Sequence, residues 1–332
     1  MKQMQIAGFA ASLACGAWLA GSAPAFAQGT SAQAFPNKPI RLVAQFAAGA
    51  SGDTVVRTIA TPLSEIIGQP VVVDNRAGAG GVVAAEIVKS AAPDGYTLFA
   101  GTSATQVIRL YLSRSTPFDP VKDFTPITQF VESVTTIVMN PAVPATNLKE
   151  LIEYARQNPG KVAFGTSGVG SEHHLSGEEI KQLAGVDMLH VPYKASAQGL
   201  LDVVSGRLPI AFSIYVVAMP QIKAGKVKVL AVVRDKRSAL LPDVPAVPEA
   251  VPGFEPPPSW VGLFAPAGLP APLLKRIHGD FIRVLNAPDT KAKLTEQGLE
   301  IVGNTPEEFS AKIQKQKELV ARIVKGAGIQ PE

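Results

Sequence analysis

This sequence holds a single cysteine, Cys15, and it lies inside an apolar opening stretch. That stretch reads as an export signal. Lys2 gives a short basic start, residues 6–20 an apolar run, and Ala25-Phe26-Ala27 a small-x-small cleavage site. Leu13 stands one place off the position that lipidation of Cys15 would require, so cleavage after Ala27 is the expected processing. The chain from residue 28 onward then has no cysteine, which excludes disulfides, thiolate metal sites and a cysteine nucleophile. Export without cysteine fits a Gram-negative periplasm, where a large core makes disulfide staples unnecessary.

Long apolar runs are also missing. The opening run falls short of the roughly 20 residues of a membrane span, and no later segment approaches about 18, so the processed chain is expected to be soluble. An excess of one charge is lacking too. Setting aside Lys2 from the 31 Lys and Arg leaves 30, against 27 Asp and Glu, a net of about +3. The densest basic cluster, Lys223, Lys226 and Lys228, reads as a solvated face, and no nucleic-acid partner is expected. About 305 processed residues suggest two domains.

What is present is a device used twice: a short apolar strand, a small-residue loop, then a helix start. The first copy runs from Ile40 to Phe46, through Ala47-Ala48-Gly49-Ala50-Ser51-Gly52-Asp53, into an apolar helical stretch. The second runs from Val162 to Thr166, through Ser167-Gly168-Val169-Gly170-Ser171, into Glu172-His173-His174-Leu175. Each loop offers unpaired N–H groups at the positive end of a helix, which is an anion site. Two such loops facing each other would hold a small carboxylate between two lobes.

Strand-like and helix-like stretches alternate through most of the chain, which predicts an α/β fold with largely parallel sheets. Strands are expected at 40–46, 71–73, 96–100, 135–139, 162–165, 210–214, 227–233 and 260–264. Helices are expected at 54–67, 81–89, 148–157 (Asn147 as N-cap), 171–183, 273–285 and 306–324, with Gly68 and Gly185 as stops. The proline-rich segment 241–258 reads as an irregular return connection. The last helix is charged on one face and is expected to pack outside the first lobe.

Several strings make the chain resemble the substrate-binding proteins of tripartite tricarboxylate transporters, the Bug or TctC-like family. They include residues 39–43, Val72-Val73-Asp74-Asn75-Arg76-Ala77-Gly78-Ala79-Gly80-Gly81, Ala92-Pro93-Asp94-Gly95-Tyr96-Thr97-Leu98 and 118–124. They continue with 167–171 plus His174-Leu175, His190-Val191-Pro192-Tyr193-Lys194, Leu230-Ala231-Val232 with Arg237, and Leu241-Pro242-Asp243-Val244-Pro245. The match covers about residue 36 to the end. It implies a two-lobed, type II-like periplasmic-binding-protein (Venus flytrap) fold with a cleft between the lobes. It places a signal peptide at 1–27, a discontinuous α/β lobe 1 at 36–130 plus 256–332, and an α/β lobe 2 at 131–255.

Carried over from that family, the carboxylate contacts fall at Phe46, Ala48, Gly49, Ala50, Ser51 and Asp53 and at Ser167, Gly168, Gly170, Ser171 and His174. Thr102, Ser103, Tyr193 and Lys194 are weaker candidates for the pocket wall, and Ser213 stands where many members carry aspartate. The first loop departs from the family pattern Pro-Phe-x-Pro-Gly-Gly-x-x-Asp. Both prolines and the second glycine are replaced, so Ala50 would be strained if its position needed positive φ, unless Gly52 takes over that freedom. Ala195 replaces a usual glycine beside Lys194, and Ser213 in place of an acid favours a ligand without an ammonium.

Other chemistries fail to assemble. Gly78-Ala79-Gly80-Gly81 lacks the third glycine of a dinucleotide fingerprint, Val83 standing there, and reads as a tight turn under a packed helix. His173 and His174 are adjacent and diverge on a helix, while His174 and Glu178 lack a third metal ligand. No G-x-S-x-G elbow or Ser/His/Asp set emerges, and Ser171 reads as a helix cap, as do Ser51 or Asp53 for theirs. Arg57 reads as half of a structural ion pair. The expectation is therefore a monomeric periplasmic receptor, not an enzyme, without metal or cofactor, that delivers a small carboxylate to the membrane components of a tripartite transporter. A carboxylate-sensing adaptor for a sensor kinase is the alternative.

Overall fold

The computed structural model describes residues 35–331, which belong to one compact unit; the signal-peptide reading lies outside them. In chain order the elements are β1 (Ile40–Ala44), α1 (Ser51–Ile67), β2 (Val71–Asn75), α2 (Val82–Lys89), β3 (Thr97–Thr102) and the short α3 (Arg109–Leu112). Then come β4 (Phe124–Ser133), β5 (Thr135–Met139), α4 (Leu148–Gln157), β6 (Val162–Thr166), α5 (Glu172–Ala184), β7 (Met188–Pro192) and α6 (Ser196–Val204). The rest are β8 (Ile210–Ile214), α7 (Tyr215–Lys223), β9 (Lys228–Val232), β10 (Trp260–Pro266), α8 (Ala271–Asn286), α9 (Pro288–Glu296), β11 (Leu299–Ile301) and α10 (Pro306–Ala327).

The strands form two sheets, a six-stranded one ordered β11-β4-β10-β3-β1-β2 and a five-stranded one ordered β7-β6-β8-β5-β9. The chain leaves the first sheet after Ser133, enters the second at Thr135, and returns between Val232 and Trp260. Alternation of strand and helix predicts parallel sheets, and that holds only for β2-β1-β3 and β7-β6-β8. The strands at the crossings, β4 and β10 in one sheet and β5 in the other, run antiparallel to their neighbours. The correction has a simple cause. A strand that carries the chain from one lobe to the other arrives from the far side, so it lies antiparallel without a crossover helix.

β4 and β11 escape the sequence reading, as does α9, since three helices rather than two occur after β10. β4 carries Thr125, Pro126, Thr128 and Gln129, which blur both alternation and apolar continuity. The helix ends follow their residues: Asn147, Ser171 and Thr305 side chains accept N–H bonds at the starts of α4, α5 and α10. Gly68 and Gly185 close α1 and α5 with φ of 68° and 62°, where a β-carbon would be strained.

Each sheet is covered on both faces. Ile40, Leu42, Val56, Ile59, Phe130 and Phe281 fill one side of the first sheet, and Val43, Phe99, Phe264, Phe309 and Ile323 the other. Ile137, Phe164, Phe212 and Leu151 head one core of the second sheet. Helix α10, expected outside the first lobe, packs against β4 and also along α5. Gln182 Nε2 of α5 donates to the Ile323 carbonyl at 3.1 Å, and Glu179 meets Arg322 at 3.1 Å. The amphipathic face of α10 is therefore shared between the two sheets' helices.

Candidate functional site

In an open α/β sheet, the place where neighbouring strands send their helices in opposite directions leaves a crevice at the strands' carboxyl ends. In the first sheet that point falls between β1 and β3, whose chain order reverses around β1. In the second it falls between β6 and β8. The loops leaving these strands are 45–50, 102–108, 167–171 and the turn after Ile214. They contain most of the residues expected from the sequence.

The first loop begins with Gln45 and Phe46. Gly49 takes the positive φ of 79°, and Ala50 sits at φ −70° and ψ 160°, an ordinary extended conformation. The anticipated strain at Ala50 is thus absent, and the conformational freedom lies at Gly49 rather than at Gly52. Gly52 serves another purpose: a β-carbon there would lie 2.2 Å from the Phe46 ring, so the ring covers the first turn of α1. Neither Ser51 nor Asp53 caps α1. Ala50 is the N-cap and offers no side-chain acceptor, which leaves the N–H groups of Ser51 and Gly52 facing outward.

Asp53 is instead a buried brace. Its Oδ2 accepts from the Gly49 N–H at 2.8 Å and from Arg57 Nε at 2.9 Å, and its Oδ1 accepts from Asn75 Nδ2 at 2.8 Å. Burial opposes its charge, yet the hydrogen bonds from Arg57, Asn75 and Gly49 together hold its pKa below the ordinary carboxylate value. Arg57 also donates to Asn75 Oδ1 at 2.8 Å, so the structural ion pair anticipated for it forms within the first lobe. Asp53 therefore shapes the loop and has little capacity left for a ligand.

At the end of β3, strand geometry continues to Thr102, and a π-helical turn follows at Ala104–Ile108 in place of the expected loop. Thr102 is half-buried at the carboxyl end of this interior strand. Ser103 is buried, donating to the Pro258 carbonyl at 2.9 Å and accepting from the Trp260 N–H at 3.3 Å. It fastens the returning crossing rather than lining a pocket wall.

In the second lobe, Ser171 caps α5 by accepting from the His174 N–H at 3.2 Å and donates to the Gly168 carbonyl at 2.7 Å. The Glu172 and His173 N–H groups remain at the helix start. His174 accepts the Gly170 N–H at Nδ1 (3.0 Å) and stacks on His190 with ring centroids 3.8 Å apart. His190 in turn contacts Thr166 Oγ1 at 2.7 Å, so the two rings hold the loop from beneath. Burial lowers the pKa of both to about 4, with the Lys181 charge adding to it. Gly170, at φ 73°, has Leu112 of the first lobe 2.2 Å from where its β-carbon would be, so this loop closes directly on α3.

Tyr193 is committed to Asp202 through a 2.7 Å hydrogen bond and packs on Gly165 and Gly199. The Lys194 N–H donates to Gln198 Oε1 at 3.1 Å, and Ser213 is fully buried within β8. Two residues left out of the expected ligand contacts join this region. His173 is buried with Nδ1 3.0 Å from Ser167 Oγ, and Glu172 hydrogen-bonds Ser259 and Thr135 on the two crossings. Burial pushes the Glu172 pKa up to about 7 and that of His173 down to about 4. Ser167, His173 and Glu172 form a line like a hydrolytic triad, but His173 Nε2 and Glu172 Oε1 are 3.6 Å apart, too far for the orienting hydrogen bond.

A separate cavity of about 620 Å³ lies behind the crossings, lined by Glu132, Arg234, Glu255, Glu300, Lys312 and Lys315 among others. Three of its four cations, all but Lys236, are held in ion pairs. Arg234 bridges Glu132 at 3.0 Å and Glu300 at 2.9 Å, while Lys312 pairs with Glu132 and Lys315 with Glu255. Among the described residues no His, Cys, Asp and Glu group is arranged to hold a metal ion, and no helix is long and apolar enough to cross a membrane.

Two α/β lobes joined by two crossings, each lobe presenting a switch point with helix starts, define the solute-binding class of periplasmic proteins. The chain belongs to the tripartite tricarboxylate transporter family of receptors, whose family model matches residues 55–329. It is 32% identical over 301 residues to a UPF0065 protein of Bordetella pertussis, covering 91% of this chain and 93% of that one. Among solved structures it is similar to the periplasmic binding protein BugD, with 32% identity, TM-score 0.68, and coverage of 90% and 100%. It is similar also to R. palustris Rpa4515 with adipate (34%, TM-score 0.73, coverage 90% and 100%). MatC from Rhodopseudomonas palustris with bound malate gives 31%, TM-score 0.68, and coverage of 87% and 100%. The resemblance read from the motifs is thereby borne out, as is the two-lobed fold.

Proposed function

We propose that this receptor captures a small organic carboxylate in the cleft between the two switch points and presents it to the membrane components of a tripartite transporter. The lobes comprise about 36–133 with 256–332, and 134–255, the crossing lying three residues beyond the point expected from the sequence. They close by rotation about the crossings, and the protein acts as a monomer in the periplasm after cleavage behind Ala27. It performs no catalysis. The observation that carries the reading is the pairing of two loops, Phe46–Asp53 and Ser167–His174, that contain no Arg or Lys but end in helix starts with unspent N–H groups. Backbone amides and helix dipoles suit a carboxylate group generically, and the two related structures hold dicarboxylates, adipate and malate. The ligand contacts are Phe46, Ala48, Gly49, Ala50 and Ser51 from one lobe and Ser167, Gly168, Gly170 and Ser171 from the other, with Thr102 at the edge between them.

The test is a thermal-shift and calorimetric screen of residues 28–332 against malate, adipate, citrate, benzoate and free amino acids. A ligand at about 100 times its Kd adds about 2.7 kcal/mol of stability and raises Tm by a few degrees for a chain of this size. Stabilisation confined to carboxylates is the expected result. Turnover of any of these compounds, or a flat response from folded, ligand-free protein, would overturn the reading.

A further inference from the structure

Gln45, which stands where the family pattern has its first proline, lies just past the carboxyl end of β1 and holds Thr102 and the buried Thr105 at once. Its Oε1 accepts from the Thr102 N–H at 3.1 Å and lies 3.0 Å from Thr105 Oγ1, and its Nε2 donates to Thr102 Oγ1 at 2.9 Å. The orientation of the amide is determined by chemistry: a backbone N–H must meet an oxygen, so the other end facing Thr102 Oγ1 is the NH2. Gly81 completes the arrangement, because a β-carbon there would lie 2.9 Å from Gln45 Cδ and 2.4 Å from Thr105 Oγ1.

A threonine hydroxyl has one hydrogen and two lone pairs. With Gln45 Nε2 occupying a lone pair, the Thr102 hydrogen has no acceptor in Gln45 and is left for a group beyond the half-buried carboxyl end of β3, beside the β1–β3 switch point. We infer that Gln45 is a positioning residue that presets the Thr102 hydroxyl as a hydrogen-bond donor to the ligand carboxylate. This rests on the carboxylate reading above and deepens it. A hydroxyl already pointed at an anion costs no reorientation on binding, and in a site with no cationic side chain one added donor is a sizeable share of affinity.

The experiment is a double-mutant cycle on the full processed chain, with adipate and malate as probes and Kd read by calorimetry. Thr102→Val keeps the shape and removes the donor, and a loss of about tenfold or more is expected, the usual worth of a hydrogen bond to a charged group. Thr102→Ser restores binding to within about threefold. Gln45→Met, which keeps the volume but leaves the hydroxyl unoriented, weakens binding by a comparable factor. Combined with Thr102→Val it adds little, because both act through the same hydrogen bond. Far-UV circular dichroism and Tm on each variant establish that it is folded. Wild-type affinity in Thr102→Val, or losses from the two substitutions that simply multiply, would overturn the role of Gln45 while leaving the carboxylate reading intact. Absence of binding by the wild-type chain to either probe and to the other carboxylates of the screen would overturn both.

Discussion

The ring of Phe46 lies across Gly52, so close that a β-carbon at residue 52 would stand 2.2 Å from two of the ring's carbons. The contact joins the end of β1 to the first turn of α1 and seats the ring over the helix start. In a helix interior, alanine in place of glycine normally gains up to about 1 kcal/mol. Here Gly52→Ala is expected to destabilise the protein by roughly 1–3 kcal/mol, because Phe46 must leave its position against the core. Urea denaturation of the two proteins measures this, and a more stable variant would show that the ring moves aside at no cost.

Asp53 provides a second prediction, about loop order. Asp53→Asn keeps the size but loses the charge that Arg57 and the Gly49 N–H address, with a cost of about 2 kcal/mol, discounted for the half-exposed Arg57. The sign with pH follows from its depressed pKa. The stabilisation is present above the unfolded carboxylate value and disappears as pH falls through the lower folded value, so wild type and variant converge in acid. Unfolding midpoints at pH 7 and at successively lower acid pH test it. A gap that does not narrow as pH falls below the ordinary carboxylate value would mean the carboxylate acts by shape alone.

The stacked pair His174 and His190 makes a third. Both have folded pKa values of about 4, below the 6.5 of a free imidazole, chiefly because burial penalises their charged forms. Their stabilisation is complete above about pH 6.5 and is lost as pH falls toward 4, since the unfolded chain takes up the protons first. Replacing His190 by Gln removes one such group. The advantage of wild type over this variant is expected to shrink by up to about 2 kcal/mol between pH 7.5 and pH 5. Glu172 and Glu179, whose pKa values are raised to about 7, have the opposite slope, but they are common to both proteins and cancel in the difference. Equal slopes for the two proteins across that range would refute the assignment.

Much of this can be read along the chain, and the limits have identifiable causes. The strands β1, β6 and β8 are mostly apolar and helix ends carry their own signals in Asn147, Ser171, Gly68 and Gly185, so local chemistry suffices there. β4 is invisible because its polar residues interrupt the apolar pattern, and a partner such as the Asn304 carbonyl, which accepts from Thr128 Oγ1 at 2.8 Å, lies far along the chain. The site divides similarly. Gly49 and Ser171 declare themselves by residue type, whereas Asp53 reads as a ligand contact and becomes a brace once Asn75, 22 residues away, meets it at 2.8 Å.

Sequence by itself determined the family, the absence of cysteine beyond residue 15 and the two small-residue loops that lack cationic side chains. Each of these depends on composition or on neighbours a few residues apart. Only the tertiary structure decided the antiparallel crossings, the sharing of α10 between lobes, and the clamp of Gln45 on Thr102, 57 residues away. Hydrogen bonds of that kind depend on which strands become neighbours in a sheet. Strand order is fixed by the packing of the whole core and not by any local preference of the residues that make the bond.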